Sequence, residues 1–145
     1  MGCDIHLHIE AKVNERWEHY AAPHVNRWYQ LFAWMAGVRG EPSEAIVVPR
    51  GAPQDASILT QILRKDYGSD GHSDSWLDHN EIMELEDRIE KWCEQEQRTK
   101  LDYDLEHNIL HTYLAGNSFT SKWRYPGSAL PEGITDIRFV FWFDN

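Results

Sequence analysis

The first residues of the chain alternate strictly between apolar and polar side chains. A period of two is typical of a β-strand with one buried face. A three-residue turn at 14–16 then predicts a hairpin that returns through 17–20, with Lys12 opposite Glu18 and Val13 opposite Trp17. The apolar side of the first strand carries Cys3, Ile5, Leu7, Ile9, Ala11 and Val13, and the polar side carries Asp4, His6, His8, Glu10 and Lys12.

The last residues of the chain predict a second long strand of a different kind. Ile134–Phe143 is almost continuously apolar and rich in β-forming residues. A strand that is apolar on both faces is usually central in its sheet, because both of its faces are covered. One face carries Ile137, Phe139, Phe141 and Phe143, and the other carries Val140 and Trp142.

Helical periodicity fills much of the chain between these two strands. Asn26 is the predicted N-cap of a first helix that ends at Gly37, and Asp55 is the predicted cap of a second helix that ends near Gly68. Residues 38–54 are predicted to be an irregular connection. The apolar positions are Leu31, Phe32 and Met35 in the first helix and Ile58, Leu59, Ile62 and Leu63 in the second.

Two further helices are predicted after a polar loop at 66–75. The third begins with the capping-box pair Asp78 and Glu81, and its narrow apolar seam consists of Ile82, Leu85, Ile89 and Trp92. A fourth is expected over 101–115, with His107 and His111 at the rim of its apolar arc. The predicted fold is therefore a single α+β domain over 1–145. A small, mainly antiparallel sheet from the two chain ends packs against about four helices.

Composition narrows the classes of function. The chain has 145 residues and a net charge of −10, which disfavours duplex nucleic acid as a partner. No apolar run reaches the roughly 20 residues that a membrane span needs, and the N-terminus lacks the basic region of a signal peptide. Two cysteines cannot form a disulfide framework, so we expect a cytoplasmic protein. A small anionic ligand and a homo-oligomer are compatible with this composition.

The polar side of the first strand contains the pattern Asp4-x-His6-x-His8. Alternate strand residues point the same way, so one carboxylate and two imidazoles project from one face. This donor set suits divalent ions, with zinc or manganese foremost. The pattern is similar to the metal motif of amidohydrolases and of the polymerase-and-histidinol-phosphatase superfamily, although those barrels need far more than 145 residues. The alternative interpretation is a solvent-facing polar stripe, which Glu10 and Lys12 would continue.

Two other segments contain groups that could complete a metal site. His72 and Asp74 lie in the predicted polar loop, where a capped loop without ligands is the alternative. Asp144 would approach Asp4 and His6 if the terminal strands are antiparallel, whereas a parallel pairing would bring Asp136 or Arg138 there. We therefore predict Asp4, His6, His72 and Asp144 as metal ligands, with His8 or Asp74 as a further ligand or the general base.

Arginine and tryptophan side chains are the candidates for substrate binding. Arg39 and Arg50 each precede a glycine in the irregular connection, and a guanidinium beside open backbone amides suits a phosphate or carboxylate. Ordinary turn chemistry is the alternative. Trp76 and Trp142 are candidates for stacking on a base or ring, against the simpler prediction that they are core residues.

Five segments resemble a family of small uncharacterised proteins of bacteriophages and prophages. They are MGCDIH, LFAWMAGVRG, PRGAPQD, DGHSDSWL and FVFWFDN, and together they cover about a third of the chain. The family loop often reads His-Ser-His-Ser-Trp, whereas Asp74 occupies the second histidine position here. The resemblance implies a phage context in the host bacterial cytoplasm. By analogy, small phage proteins often counter bacterial defences by cleaving or sequestering nucleotide signals.

These observations lead to two functional hypotheses. The first is a metal-dependent, phosphodiesterase-like hydrolase that acts on a small phosphorylated or nucleotide substrate as a counter-defence protein. The second is a non-catalytic phage protein that binds a small nucleotide signal or a host protein. Sequence motifs that carry a catalytic nucleophile, such as Gly-x-Ser-x-Gly, do not occur in the sequence.

Overall fold

An antiparallel sheet joins the two ends of the chain. The structure is a computed structural model that describes residues 2–96 and 133–145. The strands are β1 (Asp4–Val13), β2 (Arg16–Ala21), β3 (His72–Leu77) and β4 (Ile134–Asp144), and their order in the sheet is β2-β1-β4-β3. The α+β class and the origin of the sheet in both chain ends are therefore confirmed. The prediction that β4 is central is also confirmed.

Three α-helices lie within the described residues. They are α1 (Tyr29–Ala36), α2 (Ile58–Lys65) and α3 (His79–Gln95), and short 3-10 turns occur at Pro42–Glu44 and Gly68–Asp70. The predicted helix over 101–115, with His107 and His111, lies outside the described residues. No described helix is long and apolar enough to cross a membrane.

The pairing of β1 with β4 determines which side chains share a face of the sheet. Asp4 is opposite Asp144, and the same antiparallel register continues to Ala11 opposite Ile137. One face, here called the core face, carries the apolar residues Ile5, Leu7, Ile9, Phe139, Phe141 and Phe143. The other, here called the polar face, carries Asp4, His6, His8, Glu10, Arg138, Val140, Trp142 and Asp144.

Helices α1 and α3 cover the core face. Of the predicted apolar seams, Leu31, Phe32 and Met35 of α1 and Ile82, Leu85 and Ile89 of α3 are fully buried there. Trp92, at the end of the α3 seam, is partly buried. An aromatic contact joins α1 to the sheet: the ring of Phe32 meets that of Phe143 edge-on, with 5.2 Å between centroids. The hydrophobic contribution to folding is concentrated on this side of the sheet.

The predicted ends of α1 and α3 are mostly confirmed. Gly37 ends α1 in the left-handed conformation, with φ of 71°, which glycine adopts without a steric cost. Asp78 and Glu81 form the predicted capping box of α3. The predicted cap of α1 is wrong: Asn26 bonds the imidazole of His24 at 3.1 Å, and α1 begins at Tyr29.

The hairpin register differs from the prediction by one residue. Lys12 is opposite Trp17, and Val13 is opposite Arg16, so the turn has two residues rather than three. Asn14 and Glu15 both have positive φ, of 50° and 64°. Two consecutive residues in this region form the mirror-image turn whose twist matches that of the two strands, which explains why the shorter connection is preferred.

The segment 66–75 was predicted as loop, but part of it is an edge strand. β3 pairs with β4 through Trp76 opposite Val140 and Leu77 opposite Phe139. An irregularity follows His72, where Ser73 has φ of 54°. The residues of β3 have modest strand propensity. The strand forms because the apolar β4 offers an open edge, and this tertiary pairing overrides local preference.

Helix α2 also departs from its predicted cap and packing. Ser57, not Asp55, caps the helix by accepting a hydrogen bond from the Thr60 amide. The side of α2 that faces the sheet carries Thr60 and Arg64. Most of the predicted apolar stripe points outward instead, with exposed fractions of 72% for Ile58, 48% for Leu59 and 53% for Ile62.

A buried ion pair explains why α2 turns its polar side inward. Arg138 and Glu10 lie opposite each other on the polar face, 2.8 Å apart, and their side chains are 5% and 0% exposed. Glu10 also accepts hydrogen bonds from the Ser57 amide and the Thr60 hydroxyl, both at 2.8 Å. Arg138 extends to Asp55 at 2.9 Å. These bonds fix the start of α2 onto the sheet.

Removal of the arginine should therefore destabilise the fold strongly. In Arg138→Met, Glu10 keeps its charge in a buried site without its partner, which typically costs about 3–5 kcal/mol. Arg27→Met is the matched control. Arg27 pairs with Asp4, both side chains are about half exposed, and such pairs are worth less than about 1 kcal/mol. Urea unfolding measures both variants, and equal losses would contradict the importance of the buried pair.

Candidate functional site

The polar face brings His6 and Asp144 together at one end of the sheet. His6 lies opposite Trp142, two residue pairs further along β1 than Asp4 and Asp144. The Nε2 atom of His6 is 3.3 Å from Oδ1 of Asp144. This nitrogen is buried, yet it makes no aligned hydrogen bond to any group in the part of the chain that the structure describes. The other ring nitrogen, Nδ1, lies 3.0 Å from the Tyr67 hydroxyl.

Asp4 faces the same end of the sheet but is held by an arginine. Arg27 binds both carboxylate oxygens of Asp4, at 2.6 and 3.0 Å, and lowers the pKa of Asp4. The arginine passes close to Gly2, where a Cβ atom would lie 2.0 Å from its guanidinium. Both side chains of the ion pair are about half exposed, so water screens their attraction.

His8 is buried in a stack of rings behind His6. Its Nδ1 atom lies 2.9 Å from Nε2 of His19, and its ring stacks on Trp142 with 4.7 Å between centroids. Burial, with smaller contributions from His19 and His6, lowers the pKa of His8 to about 4, although Glu10 acts in the opposite direction. His8 is therefore neutral at pH 7. A neutral imidazole with so low a pKa is a weak general base near neutral pH.

The two ligands predicted from residues 70–74 do not join His6 and Asp144. His72 is opposite Phe143, whose ring is on the core face, and its own ring stacks on that phenylalanine. Asp74 is bound by Arg64 through both oxygens, at 2.6 and 3.0 Å. Across residues 2–96 and 133–145, no three His, Cys, Asp or Glu side chains surround a common point.

The predicted substrate-binding residues occupy separate places. Arg50 stacks on the Trp76 ring at 3.5 Å and binds Glu81 at 2.6 Å, so these residues form a local cluster beside α3. Arg39 lies over the Tyr29 ring at 5.4 Å. Burial raises the pKa of Cys3, and the positive charge of Arg39 partly opposes that effect.

A cleft of about 340 Å³ opens on the polar face beside His6. His6, His8 and Trp142 line it from the sheet, Leu63 lines it from α2, and the connecting segments contribute Pro23, His24, Asp66 and Tyr67. A volume of this size is at the lower end of the range for small-molecule sites. The Nε1 atom of Trp142 is buried without a hydrogen-bond partner among the described residues.

Sequence analysis missed the partners of the predicted residues. Tyr67 lies 61 residues from His6 and Arg27 lies 23 residues from Asp4, and no local motif marks these contacts. Arg64 lies only 10 residues from Asp74, but no local motif marks that pair either. The Glu10–Arg138 pair did leave a signal, because the antiparallel register that places Asp144 opposite Asp4 also places Arg138 opposite Glu10. Burial raises the pKa of Tyr67, as do Asp144, Asp66 and Asp4, so the phenol is protonated at neutral pH.

Comparisons with protein-family models, curated proteins and solved structures find no match to this chain.

The low pKa of His8 predicts a stability that depends on pH. Unfolded histidine titrates near pH 6.5, so the unfolded chain binds a proton that folded His8 excludes until about pH 4. The stabilisation is complete above pH 6.5 and is lost as the pH falls toward 4. Between pH 7.5 and 5 we expect His8 to account for a loss on the order of 2 kcal/mol in the free energy of unfolding.

Urea unfolding of two histidine variants at pH 7.5 and at pH 5 tests whether His8 causes this pH dependence. His8→Gln, which cannot titrate, should lose less stability than the wild type. His79→Gln is the control because His79 is exposed beside Asp136, and it should behave like the wild type. A His8→Gln protein that retains the full wild-type pH dependence would refute the assignment to His8.

Proposed function

We propose that the protein is a metal-dependent hydrolase whose divalent ion is held by His6 and Asp144. The observation that carries this proposal is the Nε2 atom of His6. It is buried without a hydrogen bond in the described chain, and it lies 3.3 Å from a carboxylate oxygen. A buried polar atom without a partner needs a physical explanation, and a bound cation is one that the neighbouring carboxylate favours.

The spacing of the two donor atoms fits a shared metal ion. In a tetrahedral zinc site with bonds of about 2.0–2.1 Å, neighbouring ligand atoms lie about 3.3–3.4 Å apart. The observed 3.3 Å between Nε2 and Oδ1 agrees with this value, and the atoms are not aligned for a direct hydrogen bond. Imidazole and carboxylate donors suit zinc and manganese, the ions proposed from the sequence.

Asp4 is the best-placed third ligand. It lies directly opposite Asp144 across the β1–β4 ladder, so its carboxylate is already at the same end of the polar face. Its present partner is Arg27, in an exposed ion pair that costs little to break. The proposed set is therefore Asp4, His6 and Asp144. His72 remains a predicted fourth ligand, although its pairing with Phe143 directs it to the core face.

A divalent ion at this position would lower the pKa of a bound water and polarise a phosphoryl oxygen. The chain itself supplies orientation and exclusion of water. Trp142 and Tyr67 form apolar walls of the adjoining cleft, and the neutral His8 adds no charge to it. A cleft of about 340 Å³ limits the substrate to a small compound, for which we propose a phosphorylated or nucleotide-type ester. The roles of general base for His8 and Asp74, and of substrate binding for Arg39 and Arg50, stay predictions.

A second candidate function is non-catalytic binding. Two of the predicted acidic groups, Asp4 and Asp74, are neutralised by arginines, as expected for structural carboxylates. Helix α2 also exposes the apolar side chains Ile58, Leu59 and Ile62, a feature of surfaces that contact other proteins. In this case the protein would hold a small nucleotide signal or a host protein without chemical change. In either case the phage context proposed from the sequence suggests a counter-defence role.

Elemental analysis of the full chain, purified without chelator or histidine tag, tests the metal site. We expect about one zinc or manganese per chain, lost in His6→Ala and Asp144→Asn and weakened in Asp4→Asn. His79→Gln is the matched control and should retain the metal. His72→Ala tests the predicted fourth ligand, because an unchanged metal content in that variant would exclude His72 from the ligand set.

Catalysis is then tested with bis(4-nitrophenyl) phosphate and a panel of small nucleotides followed by mass spectrometry. The hydrolase proposal predicts turnover that depends on the added metal and falls at least about 100-fold in His6→Ala. Wild-type protein that contains no stoichiometric metal, with activity unchanged in His6→Ala, would overturn it. A nucleotide recovered intact from the denatured protein would favour the binding function instead.

A further inference from the structure

Tyr67 is a residue outside the predicted site that contacts its central histidine. The phenol lies just after α2, and its hydroxyl oxygen is 3.0 Å from Nδ1 of His6. The two rings are also packed together, with 4.2 Å between centroids. Tyr67 meets Trp142 edge-on at 5.7 Å, so it is wedged between two side chains of the polar face.

The position of Tyr67 is fixed by Arg64. This arginine donates hydrogen bonds to the carbonyls of Gly68 and Gly71, at 3.1 and 3.0 Å, and forms its two-bond ion pair with Asp74 of β3. The Tyr67 amide in turn donates to the Arg64 carbonyl at 3.1 Å. The segment that carries the phenol is therefore attached both to α2 and to the edge strand.

The Tyr67 hydroxyl can accept a hydrogen bond from a protonated Nδ1 of His6 or donate one to its lone pair, so the surroundings of Nε2 distinguish the two neutral forms. A neutral imidazole has one N–H donor and one lone pair. If Nε2 carried the proton, it would be a buried donor without an aligned acceptor within the described chain. If Nδ1 carries the proton, it donates to the Tyr67 hydroxyl, and the Nε2 lone pair is directed toward the Asp144 end of the sheet.

We propose that Tyr67 is a positioning residue that holds His6 in the Nδ1–H form and directs the Nε2 lone pair to a divalent cation. This inference rests on the proposed metal site at His6 and Asp144, and it adds the group that orients the imidazole. Outer partners of metal-bound histidines act in this way: they select the protonated nitrogen and the ring orientation, and their loss typically weakens metal binding 10–100-fold.

The effect on metal binding is measured by titration of the full chain with Co²⁺, whose visible absorption reports its coordination. Tyr67→Phe keeps the aromatic ring and removes only the hydroxyl, so we expect it to fold and to bind Co²⁺ about 10–100-fold more weakly. Tyr29→Phe is the matched control. Its hydroxyl also makes one hydrogen bond to the start of β1, accepting from the Cys3 amide at 3.2 Å, but it does not contact His6. It should bind Co²⁺ like the wild type.

The protonated nitrogen is measured separately, by long-range ¹H–¹⁵N correlation of the histidine rings in metal-free protein. We expect His6 to be Nδ1–H in the wild type and in Tyr29→Phe, and to gain Nε2–H in Tyr67→Phe. A purely structural role for Tyr67 would not change this signature. An unchanged Co²⁺ affinity together with an unchanged His6 signature in Tyr67→Phe would overturn the inference while the metal site stands. Wild-type protein that fails to bind Co²⁺ or Zn²⁺ would overturn the proposed metal site itself.

Discussion

The register of β1 against β4 is the constraint on which the rest of the structure depends. A strand presents alternate residues to opposite faces, so a shift of one residue would exchange the faces of the whole strand. The observed register keeps Ile5 and Phe143 under the helices and brings Glu10 opposite Arg138. It also places His6 within reach of Asp144. One pairing therefore supports the core, anchors α2 and forms the candidate site.

Charge on the polar face is arranged in pairs, and His6 is the exception. Asp4 and Glu10 on this face, and Asp74 on the edge strand β3, are each paired with an arginine. Asp144 faces an imidazole nitrogen instead, without a direct hydrogen bond between them. The feature that distinguishes this face is thus the 3.3 Å distance between two metal-donor atoms, and not its number of acidic residues.

Prediction from sequence succeeded where local patterns and packing agree. The alternation around Ile5 and the capping box at Asp78 correspond directly to β1 and α3, and the apolar β4 is central as expected. Prediction failed where contacts between distant parts of the chain determine the local structure or the exposure of a side chain. β3 exists because β4 offers an edge, and Ile58 is exposed because Glu10 holds the polar side of α2. For the site, spacing predicted the approach of His6 and Asp144, whereas Tyr67 could be found only from the fold.

The central position of β4 has a consequence for the time course of folding. The β1–β2 hairpin closes through a two-residue turn, and hairpins of this kind form within microseconds. The other edge of β1 finds its partner only about 130 residues later in the chain, and such distant contacts slow folding. During synthesis the edge of β1 is therefore exposed until residue 144 emerges from the ribosome. In that interval a strand with Ile5, Leu7 and Ile9 on one face is open to pairing with other chains.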